Sequence, residues 1–262
     1  MHFLKHELRR NRKTTLIWSG AIGFMILLSM LMFPQMKNEA DQMTELFSNM
    51  GIFTEVFGMD ILNMAHALDF YGLEAGNMIG ICGTIFAAWI SVMSLAREEG
   101  DHTAEFLLTH PISRKAVVYT KLVSVVTAIV FFNVFSMFFG IFSFGVIGES
   151  FAWKEFLMFH VFELWMHLEI GCICFGISAC ISKNSLGIGI GFPLFLYFMN
   201  IFINISDKLS FLKYITPYHY AEPSTVISGE IPDVLPVLLG GIYGFLGVLT
   251  AFRVYQRKNI KA

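Results

Sequence analysis

The sequence predicts an all-α integral membrane protein with six spanning helices and both termini in the cytosol. Three observations predict it. The 262 residues are 55% hydrophobic and only 15% charged, with mean hydropathy +0.63; a water-soluble surface of this size would carry far more charge. The apolar residues gather into six segments of about 20 residues or more, the length a helix needs to cross a bilayer. Lysine and arginine concentrate on alternate loops, which fixes orientation by the positive-inside rule.

The expected spans are 14–33, 77–96, 117–146, 155–181, 186–205 and 234–252, within a single transmembrane domain of 1–262. The first follows Lys5, Arg9, Arg10, Arg12 and Lys13. Its apolar stretch is too long for a signal peptide and no small-residue cleavage site follows, so an uncleaved anchor is expected. The external loop 34–76 is acidic, with apolar clusters such as Leu46-Phe47 that suggest short surface helices. Spans three and four are long enough to tilt. Pro193 is expected to kink span five. Pro217, Pro223 and Pro232 punctuate the external segment 206–233, where short interfacial helices are expected. Only Lys37, Lys154, Lys208 and Lys213 fall on the outer side.

The cytosolic segment between spans two and three is the most informative part of the chain. Gly100 and Asp101 can start a helix, and Glu105 suits the dipole of its first turn. Phe106, Leu107 and Leu108 give it an apolar surface, and Pro111 ends it at His110. Ser113 is the expected N-cap of the helix that enters span three, and Lys121 is expected to snorkel to the interface. From these residues alone, an ordinary solvated loop and a docking element rigidly linked to a span are both open.

The stretch from Glu98-Glu99 through Thr103-Ala104-Glu105-Phe106-Leu107-Leu108, then Pro111-Ile112-Ser113-Arg114 and Lys121 resembles the cytoplasmic signature of ABC-2 type permeases, the membrane subunits of ATP-binding cassette exporters. His102 departs from it, standing where a glycine usually precedes the threonine. Residues 3–10 resemble the family's amphipathic elbow helix, residues 212–218 its external segment before the last span, and residues 252–260 its basic ending. The resemblance implies that Glu98 or Glu99, Thr103, Glu105, Phe106, Leu107, Leu108, Pro111, Ser113, Arg114 and Lys121 form or support a coupling helix. It further implies a separate ABC ATPase carrying ATP and Mg, a second permease copy or related permease, and a place in the cell membrane among its lipids. The chain itself has no GxxxxGK[ST] and no segment long enough for a nucleotide-binding domain, so neither cofactor nor catalytic site is expected in it. No nucleic-acid partner is expected either.

The other candidates are polar groups within spans, which merit a functional hypothesis because they are costly there. His160, Glu163 and His167 share one helical face at i, i+3 and i+7, with Glu169 roughly opposite. Structural or interfacial packing, a polar path, and a metal or catalytic centre are all open. The spacing matches neither HExxH nor the Glu-x-x-His of di-iron bundles, so no metal is expected. Asn133, Asn200 and Asn204 suit interhelical hydrogen bonds or substrate contact. Gly187/Gly191 and Gly240/Gly244 are GxxxG pairs suited to close helix approach. Cys82, Cys172, Cys174 and Cys180 lie in apolar runs and are expected to pack without disulfides. The competing classes are a stand-alone secondary transporter or intramembrane enzyme using His160, Glu163 and His167, and an immunity-type binding protein. No inverted repeat supports the transporter alternative.

Overall fold

The computed structural model describes residues 2–40, 54, 62–100, 113–182 and 185–258. All regular structure among them is helical: α1 (His2–Asn38), α2 (Ala67–Tyr71), a π-helical turn (Gly72–Gly76), α3 (Asn77–Gly100), α4 (Arg114–Ile147), α5 (Trp153–Cys180), α6 (Leu186–Ile205), a 3₁₀ helix (Asp207–Tyr214), α7 (Pro223–Ile227) and α8 (Val234–Arg257). Among the described residues, six helical stretches are long and apolar enough to cross a membrane.

The spans run longer than their apolar cores. α1 is one unbroken helix of 37 residues, about 55 Å at 1.5 Å per residue, so its ends project well past a ~30 Å hydrocarbon layer. The expected elbow is therefore not a separate element; residues 2–13 continue the first span. The second span begins at Ala67, ten residues before the expected start, because α2 and the π-turn join α3 end to end. Hydropathy misses this turn because Asp69 and Glu74 interrupt it. Pro193 lies inside α6 without ending it.

α3 is the central helix, packed by α4, α5 and α6, while α1 lies along α4 and α8 along α5. The apolar window of α3 is 67% buried, against 22% for α6 and α8; the latter two form the edges. Small residues let α5 and α8 approach each other. A Cβ on Gly176 would lie 2.5 Å from the Gly247 carbonyl oxygen, so the two backbones touch at this point. Of the predicted GxxxG pairs, Gly240 and Gly244 face α5, whereas nothing lies within 4 Å of a Cβ on Gly187 or Gly191.

Helix ends follow their local chemistry. Ser113 caps α4 as expected, its hydroxyl accepting from the Ala116 amide at 3.2 Å. α4 closes on Gly148, whose φ of 73° is readily adopted by glycine. The segment 206–233 folds inward: Tyr218, Tyr220 and Ala221 are buried, and Thr216 Oγ1 donates to the Leu196 carbonyl at 2.8 Å.

Candidate functional site

Two polar clusters stand out, one at the basic ends of the helices and one inside the bundle. In the first, Lys121 is fully buried. It does not snorkel: its ammonium donates to the Ser94 carbonyl at 2.8 Å and lies 3.7 Å from Glu7 Oε2. Glu7, itself buried, is also held by Arg10 at 2.5 Å. An ammonium anchored by a neighbouring carbonyl and a carboxylate need not reach water. Nearby, the Arg114 guanidinium donates to the carbonyls of Tyr255 and Gln256 at 3.3 Å and of Lys258 at 2.7 Å. These are the orphan acceptors at the negative end of α8. Lys258 pairs with Glu99 at 2.8 Å and donates to the Ile181 carbonyl at 2.6 Å.

The signature residues Glu99 and Arg114 thus sit on a clamp joining the ends of α3, α4, α5 and α8, while Ser113 caps α4 and Lys121 ties α4 to α3 and α1. Thr103, Glu105, Phe106, Leu107, Leu108 and Pro111, the body of the expected coupling helix, lie outside the described residues. Glu7 and Lys258 are partners that sequence reasoning did not single out. The signal for Glu7 was one acid amid five basic residues in the first thirteen positions.

The second cluster lies on the inner face of α5. His160, Glu163, His167 and Glu169 are all buried. Glu163 and His167 stand side by side, while His160 and Glu169 each bond to a tyrosine. Tyr71 Oη and His160 Nε2 are 3.0 Å apart. Asn133 donates its amide to the Ile129 carbonyl at 2.9 Å, leaving Oδ1 to accept from His167 Nδ1 at 3.0 Å. Because Asn133 takes the Nδ1 proton, Nε2 of a neutral His167 is a bare acceptor. That Nε2 lies 3.2 Å from Glu163 Oε2. Both atoms are buried without a hydrogen-bond partner. A Cβ on Gly83 would collide with the His167 ring, so this glycine is what admits the imidazole against α3. Glu169, on the other side of α5, accepts from Tyr220 Oη at 2.6 Å and presses on Gly240.

Glu163 opens on a small cavity also lined by Asn77, Tyr197, Asn200, Tyr218 and Glu222. Asn200 Oδ1 is buried there with no hydrogen-bond partner, whereas Asn204 donates to Glu222 at 2.8 Å. Sequence reasoning found Glu163 and Asn200 but not the external tyrosine and glutamate, which reach the site only because the 206–233 segment folds inward. Among the described residues no three His, Cys, Asp or Glu groups converge as a metal centre, and all four cysteines are free thiols.

At the protein surface Lys213 and Asp233 pair at 2.8 Å. Their hydrogen bond holds the Asp233 carboxyl below, and the Lys213 ammonium above, the usual range. A depressed carboxyl stabilises the fold above its unfolded pKa and loses that contribution as pH falls through the folded one. The clasp is therefore expected to open only below about pH 4, with α8 start-point fluorescence or hydrogen exchange as the check.

The sequence matches the family described as ABC-2 family transporter protein over residues 1–260, and no curated protein matches it. With the family covering nearly the whole chain, and six membrane-crossing helices in place, the protein belongs to the ABC-2 transporter permeases, the multi-pass membrane subunits of ATP-binding cassette transporters.

Proposed function

We propose that the chain acts as one permease half of an exporter, driven by a separate ATPase that docks on residues 101–112. The observation that supports this is the clamp: Glu99, Arg114 and Lys258 tie the ends of α3 and α4, which flank the proposed docking segment, to α8. A push on the segment would be felt at once by α3, α4, α5 and α8, which is the rigid connection that alternating packings require. ATP and Mg reside on the partner, both termini are cytosolic, and residues 1–262 work as a single permease domain. The second half is another copy or a related permease. Within the bundle, Asn133, Glu163, His167 and Asn200 form a polar path, with His160 held to its side by Tyr71.

The test is to tag the chain, extract it gently from its native membrane and identify what co-purifies. The expected result is a Walker-motif ATPase at one copy per permease, lost in Phe106→Asp/Leu107→Asp while the permease still inserts. Repeated recovery without an ATPase, or ATPase stimulation unchanged in that variant, rules the coupling role out. A second prediction isolates the clamp. Arg114→Ala is expected to leave ATPase binding in place but lower transport per ATP hydrolysed several-fold, read in reconstituted vesicles.

A further inference from the structure

The cavity beside Glu163 has a volume of about 30 Å³. A space of that size holds one or two waters or a single bare ion, and excludes a hydrated divalent cation or an organic cargo. No lysine or arginine lines it, and residues 41–61, which lie outside or at the edge of the described regions, contain no lysine, arginine or histidine. The groups that line it are well placed to accept. Thr84 Oγ1 directs its proton to the Gly80 or Ile81 carbonyl, each at 2.8 Å, so Tyr218 Oη, 2.5 Å away, donates to Thr84 and keeps its lone pairs for the cavity. Asn77 spends an amide proton on the Leu73 carbonyl at 2.7 Å, leaving Oδ1. Asn200 Oδ1 is buried and unpartnered. Glu163 Oε2 is likewise buried without a hydrogen-bond partner.

We propose that this cavity binds one dehydrated monovalent alkali cation, with Glu163 as principal ligand and Asn77, Asn200 and Tyr218 supplying further oxygens. Hard cations take such carboxylate, carboxamide and hydroxyl oxygens. The charges favour a single positive unit. Beside a neutral His167, the Glu163 carboxylate and one alkali cation cancel each other, and an apolar bundle penalises net charge. The remaining titratable neighbours, Tyr71, His160 and Tyr197, are neutral as phenols and imidazole. Asn77 comes from α3, Glu163 from α5, Asn200 from α6 and Tyr218 from the external segment, so the cation would lock four separate elements together. The site stands without the ATPase-coupling reading, and its test uses the permease alone.

The experiment is thermal unfolding of the purified full chain in LiCl, NaCl or KCl, with choline chloride holding ionic strength constant. The expected result is that one alkali cation raises the midpoint saturably above choline. The rise disappears in Glu163→Gln, and in Asn200→Ala it needs at least ~tenfold more salt, as loss of one ligand from a small oxygen site implies. Equal midpoints in all four salts mean that the cavity holds water only, and overturn the proposal. So does a saturable rise that survives both substitutions. If Glu163→Gln fails to fold, Asn200→Ala decides, and an unchanged half-saturation there overturns the site.

Discussion

Replacing Gly176 by valine is expected to destabilise the bundle by about 3 kcal/mol, the upper range for overpacking a filled interior. The Cβ would meet the Gly247 carbonyl oxygen and Cα, which belong to a helix backbone and cannot rotate aside. α5 and α8 would have to separate along their contact, taking Glu169 away from the space that Gly240 leaves for it. Gly247→Val should behave alike, because its own Cβ would lie 2.5 Å from the Cys172 carbonyl oxygen. Gly187→Ala and Gly191→Ala are the controls: with open space at both positions, alanine is expected to leave the midpoint unchanged or raise it slightly through better helix propensity. The thermal midpoint of the detergent-extracted protein checks all four. An unaltered midpoint in Gly176→Val would contradict the described packing.

The second large effect is expected at Lys121. Lys121→Ala removes a fully buried ammonium with its stem and leaves Glu7 without that cation, a change in the class that costs about 3–5 kcal/mol. Lys121→Met keeps most of the stem volume and should lose less. The diagnostic variant is the double replacement Lys121→Met/Glu7→Gln, which is expected to be more stable than the sum of the single losses predicts. Removing both charges relieves the desolvation that each single change leaves uncompensated. Strict additivity in this double-mutant cycle would mean that the two residues do not interact.

Much of the architecture was legible because hydropathy reports lipid contact directly. Span five, 186–205, coincides with α6, since lipid-facing apolar residues continue to both of its ends. Hydropathy fails where a helix continues behind other protein. Asp69 and Glu74 conceal the start of the second span, and Glu7 with its basic neighbours conceals the first twelve residues of α1. Burial of Lys121 was likewise illegible, because the sequence places it one turn inside the membrane but cannot show that Ser94 and Glu7 wait there. At the inner cluster, helical spacing put His160, Glu163 and His167 on one face. It could not reveal that Asn133 fixes the His167 tautomer or that Tyr218 arrives from a segment fifty residues further on. Those are properties of the folded arrangement of five elements, absent from the periodicity of any one.

The clamp at the ends of α3, α4, α5 and α8 bears on how the protein is made. α8 leaves the ribosome last of the six, well after α3 and α4 have entered the membrane. Until it arrives, Glu99 has no Lys258 and Arg114 has no carbonyls to cap. The nascent bundle therefore carries an open polar seam at its basic face, and insertion of the final helix closes it. A chain halted before residue 258 would leave Glu99 and Arg114 without these partners.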